Sequence, residues 1–329
     1  MAAAQRRDGA HLIRSVCVLL CLAAASALAQ PYPLRPVKLV VPFPPGSTPD
    51  IVGRTLGAKL QEALGQPFVA ENRTGAGGNI GTEAAAKAPA DGYTLLIGIN
   101  GPIATNKYLY KSLAFDPDKD LAPISLLATA PQMLVVAPAL GVDSFRGFID
   151  YAHAHPGRVS YATVGSGSAS HLTMELLKGE ANIDLVHIPY RGFPPAVTDM
   201  LAGNIQAMFA IVPGVLPQVR AGKMKALAVT ALKRSPLAPD VPSVAELGLP
   251  QLESLAWIGL LAPAATPREV LERLSMETMR RMQANDVREL LGKQGFDVVA
   301  GTPAAFQRWI RAESAKWARV IKASGATAD

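Results

Sequence analysis

Past residue 30 the chain alternates short runs of branched apolar residues with stretches of helical apolar spacing, separated by turns rich in Gly, Pro and Asp. Strand patterns fall at residues 37–41, 68–70, 93–99, 133–137, 159–162, 185–188, 207–211, 226–229 and 257–261. Helical patterns fall between them at 51–64, 80–88, 144–155, 170–180, 194–202 and 216–221. Residues 51–64 illustrate the rhythm: Val52, Leu56 and Leu60 share one face, and Gly65-Gln66-Pro67 ends the run. Alternation of this kind predicts an α/β fold with parallel sheets covered on both faces. The tail departs from it. After 257–261 the spacing is helical at 268–283, 286–293 and 303–323. Val270, Leu271, Leu274 and Met282 form a stripe there that reads as core.

At 329 residues the chain is long enough for roughly two domains with a core each. No repeat and no low-complexity linker divides them. Two α/β domains without a linker imply that the chain crosses between them more than once.

The first thirty residues follow another logic. Arg6, Arg7 and Arg14 precede an apolar run from Val16 to Leu28, which closes on the small-x-small pattern Ala27-Leu28-Ala29. Residues 1–29 therefore read as a secretory signal peptide. Val16 to Ala29 falls short of the ~20 residues that span a bilayer. Removal would take Cys17 and Cys21, the only cysteines, and with them any disulfide or thiolate site. It would also lower the formal net charge from +6 to +4, since three arginines and one aspartate leave. Basic residues are dispersed and aromatics are only 6%, so nucleic acid is not expected as a partner.

Ligands of open α/β sheets lie beyond the carboxyl ends of strands, where the next helix presents unpaired N–H groups and a partial positive charge. Two loops have donor chemistry for an anion there. In Pro42 to Asp50, three prolines stiffen the chain ahead of Thr48 and Gly46 permits close approach, while Ser47 and Thr48 add hydroxyls. Asp50 reads first as a helix cap and second as the acceptor of a ligand ammonium. In Thr163 to His171, Gly165 and Gly167 alternate with Ser166, Ser168 and Ser170, a set able to surround a carboxylate. His171 could reach that ligand or serve the helix. A third segment, Gly75-Ala76-Gly77-Gly78-Asn79-Ile80-Gly81, is one residue too long for a dinucleotide fingerprint and follows the second strand, so helix packing explains it better. The chain has no G-x-S-x-G elbow, H-E-x-x-H or P-loop lysine. No cofactor, metal or catalytic set is expected.

At these loops the chain resembles the periplasmic substrate-binding proteins of tripartite tricarboxylate transporters, the Bug family. The stretches that carry the likeness are Val40 to Gly46, Glu71 to Gly81, Asp91 to Leu96, Val186 to Gly192, Leu227 to Thr230 and Asp240 to Glu246. The resemblance implies a type II periplasmic-binding-protein fold, two α/β domains joined by a two-crossover hinge with a ligand cleft between them. Residues 30–130 and 255–329 would form domain 1 and 131–254 domain 2, with crossovers near 128–133 and 253–257. It implies a monomer in the periplasm that binds a small organic carboxylate and serves integral membrane transporter subunits. Ligand contacts would come from Phe43, Gly46, Ser47, Thr48, Asp50, Ser166, Gly167, Ser168 and His171, with Asn100, Gly101, Tyr190 and Arg191 as further candidates. The Arg191 fork could take both carboxylate oxygens. Ala210 stands where many members carry an acid or another polar residue, which argues against an amino-acid ligand.

Two other functions fit parts of the sequence. A secreted hydrolase would use Ser166 or Ser168 with His171, but no triad pattern accompanies them. A sensor that presents its ligand to a membrane regulator would share the binding physics of a transport receptor.

Overall fold

The computed structural model describes residues 32–190 and 192–328. The predicted signal segment and Arg191 lie outside them. Among the described residues there are ten strands and ten α-helices. Strand β1 (Val37–Val41) leads into α1 (Thr48–Leu64), β2 (Phe68–Asn72), α2 (Asn79–Ala86) and β3 (Thr94–Ile99). Val37, Leu39, Val40 and Val41 are all buried, as a central parallel strand covered on both faces requires. Helix α1 buries Val52, Leu56 and Leu60 and stops at Gly65, whose left-handed φ of 73° lets its N–H reach the Gln61 carbonyl.

A single π-helical turn at Gly101–Thr105 and the short α3 (Asn106–Leu109) then lead to β4 (Leu121–Val136), a strand of 16 residues. Beyond it lie α4 (Phe145–Ala154), β5 (Ser160–Thr163), α5 (Ala169–Ala181), β6 (Val186–Pro189), α6 (Phe193–Leu201), β7 (Ala207–Ile211), α7 (Val212–Arg220) and β8 (Lys225–Val229). The chain returns through β9 (Leu255–Pro263), α8 (Arg268–Met282), α9 (Asn285–Lys293), β10 (Asp297–Val298) and α10 (Pro303–Ser324).

The sheet is mixed where wholly parallel pairing was expected. Strands β1, β2 and β3 pair in parallel, and so do β5, β6 and β7. Between these ribbons β9 and β4 run antiparallel to their neighbours and to each other. The reason is the route of the chain: β4 carries it out of one ribbon and β9 brings it back. Strand β4 changes partners along its length. Leu121 to Pro131 pair with β9, and Gln132 to Val136 pair with β7 and β8. Register shifts at Pro123/Ser125 and Leu126/Ala128 bend it before that change.

Where β4 and β9 pass between the two halves, four buried polar side chains close on one another. The Gln132 amide N–H donates to Thr230 Oγ1 (2.9 Å) and Gln132 Nε2 to Thr173 Oγ1 (2.7 Å), which pairs with Ser254 Oγ (2.6 Å). Thr173 belongs to α5, so this knot ties both crossings to that helix.

Helix α10 reaches both cores. Phe306 and Ile310 pack with Trp257 and Leu261 on one side, whereas Trp317 and Ile321 join Phe148, Tyr161 and Leu177 on the other. Among the described residues no helix is long and apolar enough to cross a membrane.

Candidate functional site

The loop ahead of α1 is held by a buried carboxylate. Asp50, in the first turn, accepts from the Gly46 amide (2.9 Å), from Arg54 Nε (3.0 Å) and from Asn72 Nδ2 (2.9 Å). Asn72 also donates to the Phe43 carbonyl at 2.8 Å, so both ends of the Phe43–Gly46 turn are fixed by one network. Burial alone would raise the Asp50 pKa, but the hydrogen bonds from Arg54, Gly46 and Asn72 outweigh it and hold the group below the ordinary carboxylate range. With three partners in place, Asp50 shapes the loop and has little capacity left for a ligand ammonium. Ser47 occupies the N-cap position of α1 without capping it, and its Oγ is buried with no hydrogen-bond partner. A buried hydroxyl in that state is costly unless something else pairs with it.

The second loop is built differently. Ser168 caps α5, its Oγ accepting from the His171 amide at 3.3 Å and lying 3.0 Å from Ser170 Oγ. Ser170 Oγ accepts from the Val164 amide (3.2 Å), and Thr163 Oγ1 from the Gly165 amide (3.3 Å). His171 is buried beneath the loop, where its Nδ1 accepts the Gly167 N–H at 3.0 Å. Its ring stacks on His187 at 4.0 Å, and His187 stacks on Tyr161 at 5.1 Å. Tyr161 donates to Glu175 (2.5 Å), which also takes Lys178 (2.9 Å). Burial first, and His171 next, push the His187 pKa down to about 4.

This stack predicts an acid-sensitive fold. An unfolded histidine titrates near 6.5, so the unfolded chain binds a proton more readily than the native one below that pH. The stability contributed by neutral His187 is present above about 6.5 and lost as pH falls toward about 4. Calorimetry should give a lower melting midpoint at pH 5 than at pH 7, with a smaller gap in His187→Phe.

Gly78, Asn106 and Gly167 bring the two loops onto one wall. A Cβ placed on Gly78 would lie 2.9 Å from the Phe43 ring and 2.9 Å from Pro102. One on Gly101 would lie 3.3 Å from Asn106 Oδ1, and one on Gly167 would lie 3.8 Å from that same oxygen and 2.5 Å from Leu109. Asn106, itself buried, is oriented by donating Nδ2 to Asn79 Oδ1 at 2.6 Å. Phe43, Gly101 and Gly167 thus border a surface shared by Gly77, Gly78 and Asn106. Sequence reasoning gave the glycine segment to helix packing, which it does provide: Gly81 leaves room for the Arg73 carbonyl and Pro42. It missed Asn106, which no motif marks and which only the turn after Gly101 brings into place.

The remaining candidates hold varied positions. The Asn100 side chain donates to the Leu255 carbonyl (3.1 Å) and accepts from the Trp257 amide (2.9 Å), facing the crossing strands. Beside it Glu313 accepts from Trp257 Nε1 (3.1 Å) and Trp317 Nε1 (2.9 Å), its pKa raised by burial against those bonds. The Tyr190 amide extends the β5–β6 pairing by donating to the Thr163 carbonyl, and its hydroxyl donates to Asp199 at 2.6 Å. Burial first, then Asp199, raises the Tyr190 pKa to about 12. Ala210 is buried in β7 opposite Met133. Thr48 and Ser166 lie partly exposed in the two loops.

The chemistry available is that of recognition. Apart from the His171 amide, which Ser168 caps, and Pro49, which has no N–H, the amides in the first turns of α1 and α5 have no acceptor within their own helices, and both helix dipoles put positive potential there. For Ser168 and His171 the structure gives no nucleophile–base pair: the hydroxyl caps a helix, and the imidazole Nδ1 is taken by Gly167.

Two α/β halves bridged by shared strands, each with a donor-rich loop ahead of a helix, define a solute-binding protein of the type II periplasmic-binding-protein fold. The chain belongs to the tripartite tricarboxylate transporter receptor family, TctC, which it matches over residues 52–326. It is 39% identical over 304 residues to protein BugT of Bordetella pertussis, covering 92% of this chain and 93% of that one. Among solved structures, R. palustris Rpa4515 with adipate is similar at a TM-score of 0.82 and 36% identity, over 90% of this chain and 99% of that one. MatC of Rhodopseudomonas palustris with bound malate is similar at 0.78 and 33%, over 88% and 100%.

Proposed function

We propose that the protein is a periplasmic receptor that closes on a small dicarboxylate and hands it to the membrane subunits of a tripartite transporter. What supports this reading is that Phe43, ahead of α1, packs against Gly78, while Gly167, ahead of α5 in the other half of the sheet, lies beside Asn106, whose amide meets Gly77. Each carboxylate would take amide and hydroxyl donors from one half, with the unpaired Ser47 hydroxyl among them. A ligand touching both halves stabilises the closed form, and the transporter reads that form. Adipate in one relative and malate in another support a dicarboxylate.

The lobes assigned are residues 30–130 with 255–329, and 131–254. Contacts come from Phe43, Gly46, Ser47, Thr48, Gly101, Ser166, Gly167 and Arg191. Residues 1–29 direct export and are removed, and the receptor acts as a monomer that makes and breaks no covalent bond. An acidic amino acid is a poor ligand, because Ala210 offers no acceptor and Asp50 is already engaged by Gly46, Arg54 and Asn72.

A thermal-shift series with malate, succinate, adipate, citrate, benzoate and glutamate tests this. A ligand at ~100 times its dissociation constant adds about 2.7 kcal/mol of stability. A C4 to C6 dicarboxylate should raise the midpoint, and glutamate should leave it unchanged. Flat curves across the series would sink the reading.

A further inference from the structure

We infer that His171 is a positioning residue: its unprotonated Nδ1 holds Gly167 of the second loop in place, and protonation of that nitrogen releases the loop. The geometry leaves little freedom. The Gly167 N–H is an obligate donor, and it points at His171 Nδ1 from 3.0 Å in a buried setting. The neutral ring must therefore carry its proton on Nε2. In acid the only nitrogen left to protonate is Nδ1, which would set two donors face to face.

Burial opposes that proton first, and the charges around the ring divide. On α5 itself, Glu175 would favour an imidazolium, but it is already shared between Tyr161 of β5 and Lys178 of α5, whose ammonium repels one. From β6, His187 stacks at 4.0 Å, itself held neutral by burial with its Nε2 on Thr163 Oγ1 at 2.7 Å, and offers an imidazolium no acceptor. From α3, Leu109 and Asn106 meet Gly167 and neither titrates. Gly167, at φ +76°, has a Leu109 methyl 2.5 Å from where a Cβ would stand, so a loop set free cannot keep its fit to the opposite half.

Hydrogen exchange of the Gly167 amide reads this without any ligand. In wild type its protection should fall about tenfold or more between pH 7 and 4.5. His171→Asn, whose Oδ1 stands near the position of Nδ1 and does not titrate, should keep the pH 7 protection and lose less than about threefold over that range. His171→Leu should lack the protection at every pH. Malate and adipate titrations supply the second arm, which rests on the carboxylate reading: over that range wild-type affinity should fall further than that of His171→Asn, since the acids' own protonation is common to both. The inference is overturned if wild-type protection is independent of pH, if His171→Asn tracks the wild-type curve, or if His171→Leu keeps the protection. Exchange that behaves as expected with no binding of either acid would count against the ligand reading alone. Should His171→Leu not fold, wild type against His171→Asn still decides.

Discussion

Replacing Asp50 with alanine is expected to remove about 3 kcal/mol of stability and to weaken carboxylate capture at least tenfold. The side chain is only 4% exposed, while its partner Arg54 is 51% exposed, which places the loss at the lower end for a broken buried pair. What is lost is mostly the pairing of other groups: the Gly46 amide, Arg54 Nε and one Asn72 proton all lose their acceptor. The turn from Phe43 to Gly46 would then be held from one end only. Asp50→Asn keeps an acceptor for Gly46 and should lose less on both counts. Urea midpoints and calorimetric titration with malate or adipate measure the two effects. Unchanged affinity in a folded Asp50→Ala protein would show that the first loop does not hold ligand. Acid should act on the same network: the carboxylate's folded pKa is depressed, so its stabilisation is present above about 3.9 and lost as pH falls further.

Phe306→Ala should cost more stability, about 3–5 kcal/mol, and leave dicarboxylate affinity near wild type wherever the protein is folded. The ring is fully buried, packs edge-on against Trp257 at 5.6 Å, and fills the space that Gly259 leaves by having no side chain. It anchors the first turn of α10 to β9, in the cluster that holds Val40, Leu96, Ile103 and Leu261. Little collapse can fill the void, because Gly259 lies in a strand paired on both edges. Scanning calorimetry should show a midpoint well below wild type, and titration should separate this variant from Asp50→Ala. A loss under about 1 kcal/mol would mean that α10 is not pinned where it begins.

How far the sequence could be read depended on whether its signals were local. Strands β1 and β7 match their predicted limits, because a short apolar run between turn residues has few other fates. Strand β4 was expected from 133 and begins at Leu121. Pro123 and Pro131 interrupt the pattern, and only the bulges beside Pro123 make one of them tolerable within a sheet. Helix α7 was expected from 216 and starts at Val212, since Pro213 suits a first turn and Pro217 sits inside the helix where a proline reads as a stop. Both donor loops were legible for the same local reason, a strand followed by Gly, Pro and Ser and then a helix. What lies under them was not. Nothing near His171 in the chain says that His187 stacks on it, and nothing near Asn100 says that its amide is spent on β9. Those facts arise from which segments the fold lays side by side.

The cluster of Gln132, Thr173, Thr230 and Ser254 bears on how such a molecule can bend. Oily side chains at a joint fit one angle well, and a change of angle opens gaps among them. Hydroxyl hydrogens swing about their C–O bonds, and each of these oxygens can give or take. As the strands flex, Thr173 and Ser254 can trade donor for acceptor while their oxygens stay almost still. The joint behaves as a lubricated bearing, costing little to turn, so the grip on a captured guest need not work against stiffness in the backbone that carries it.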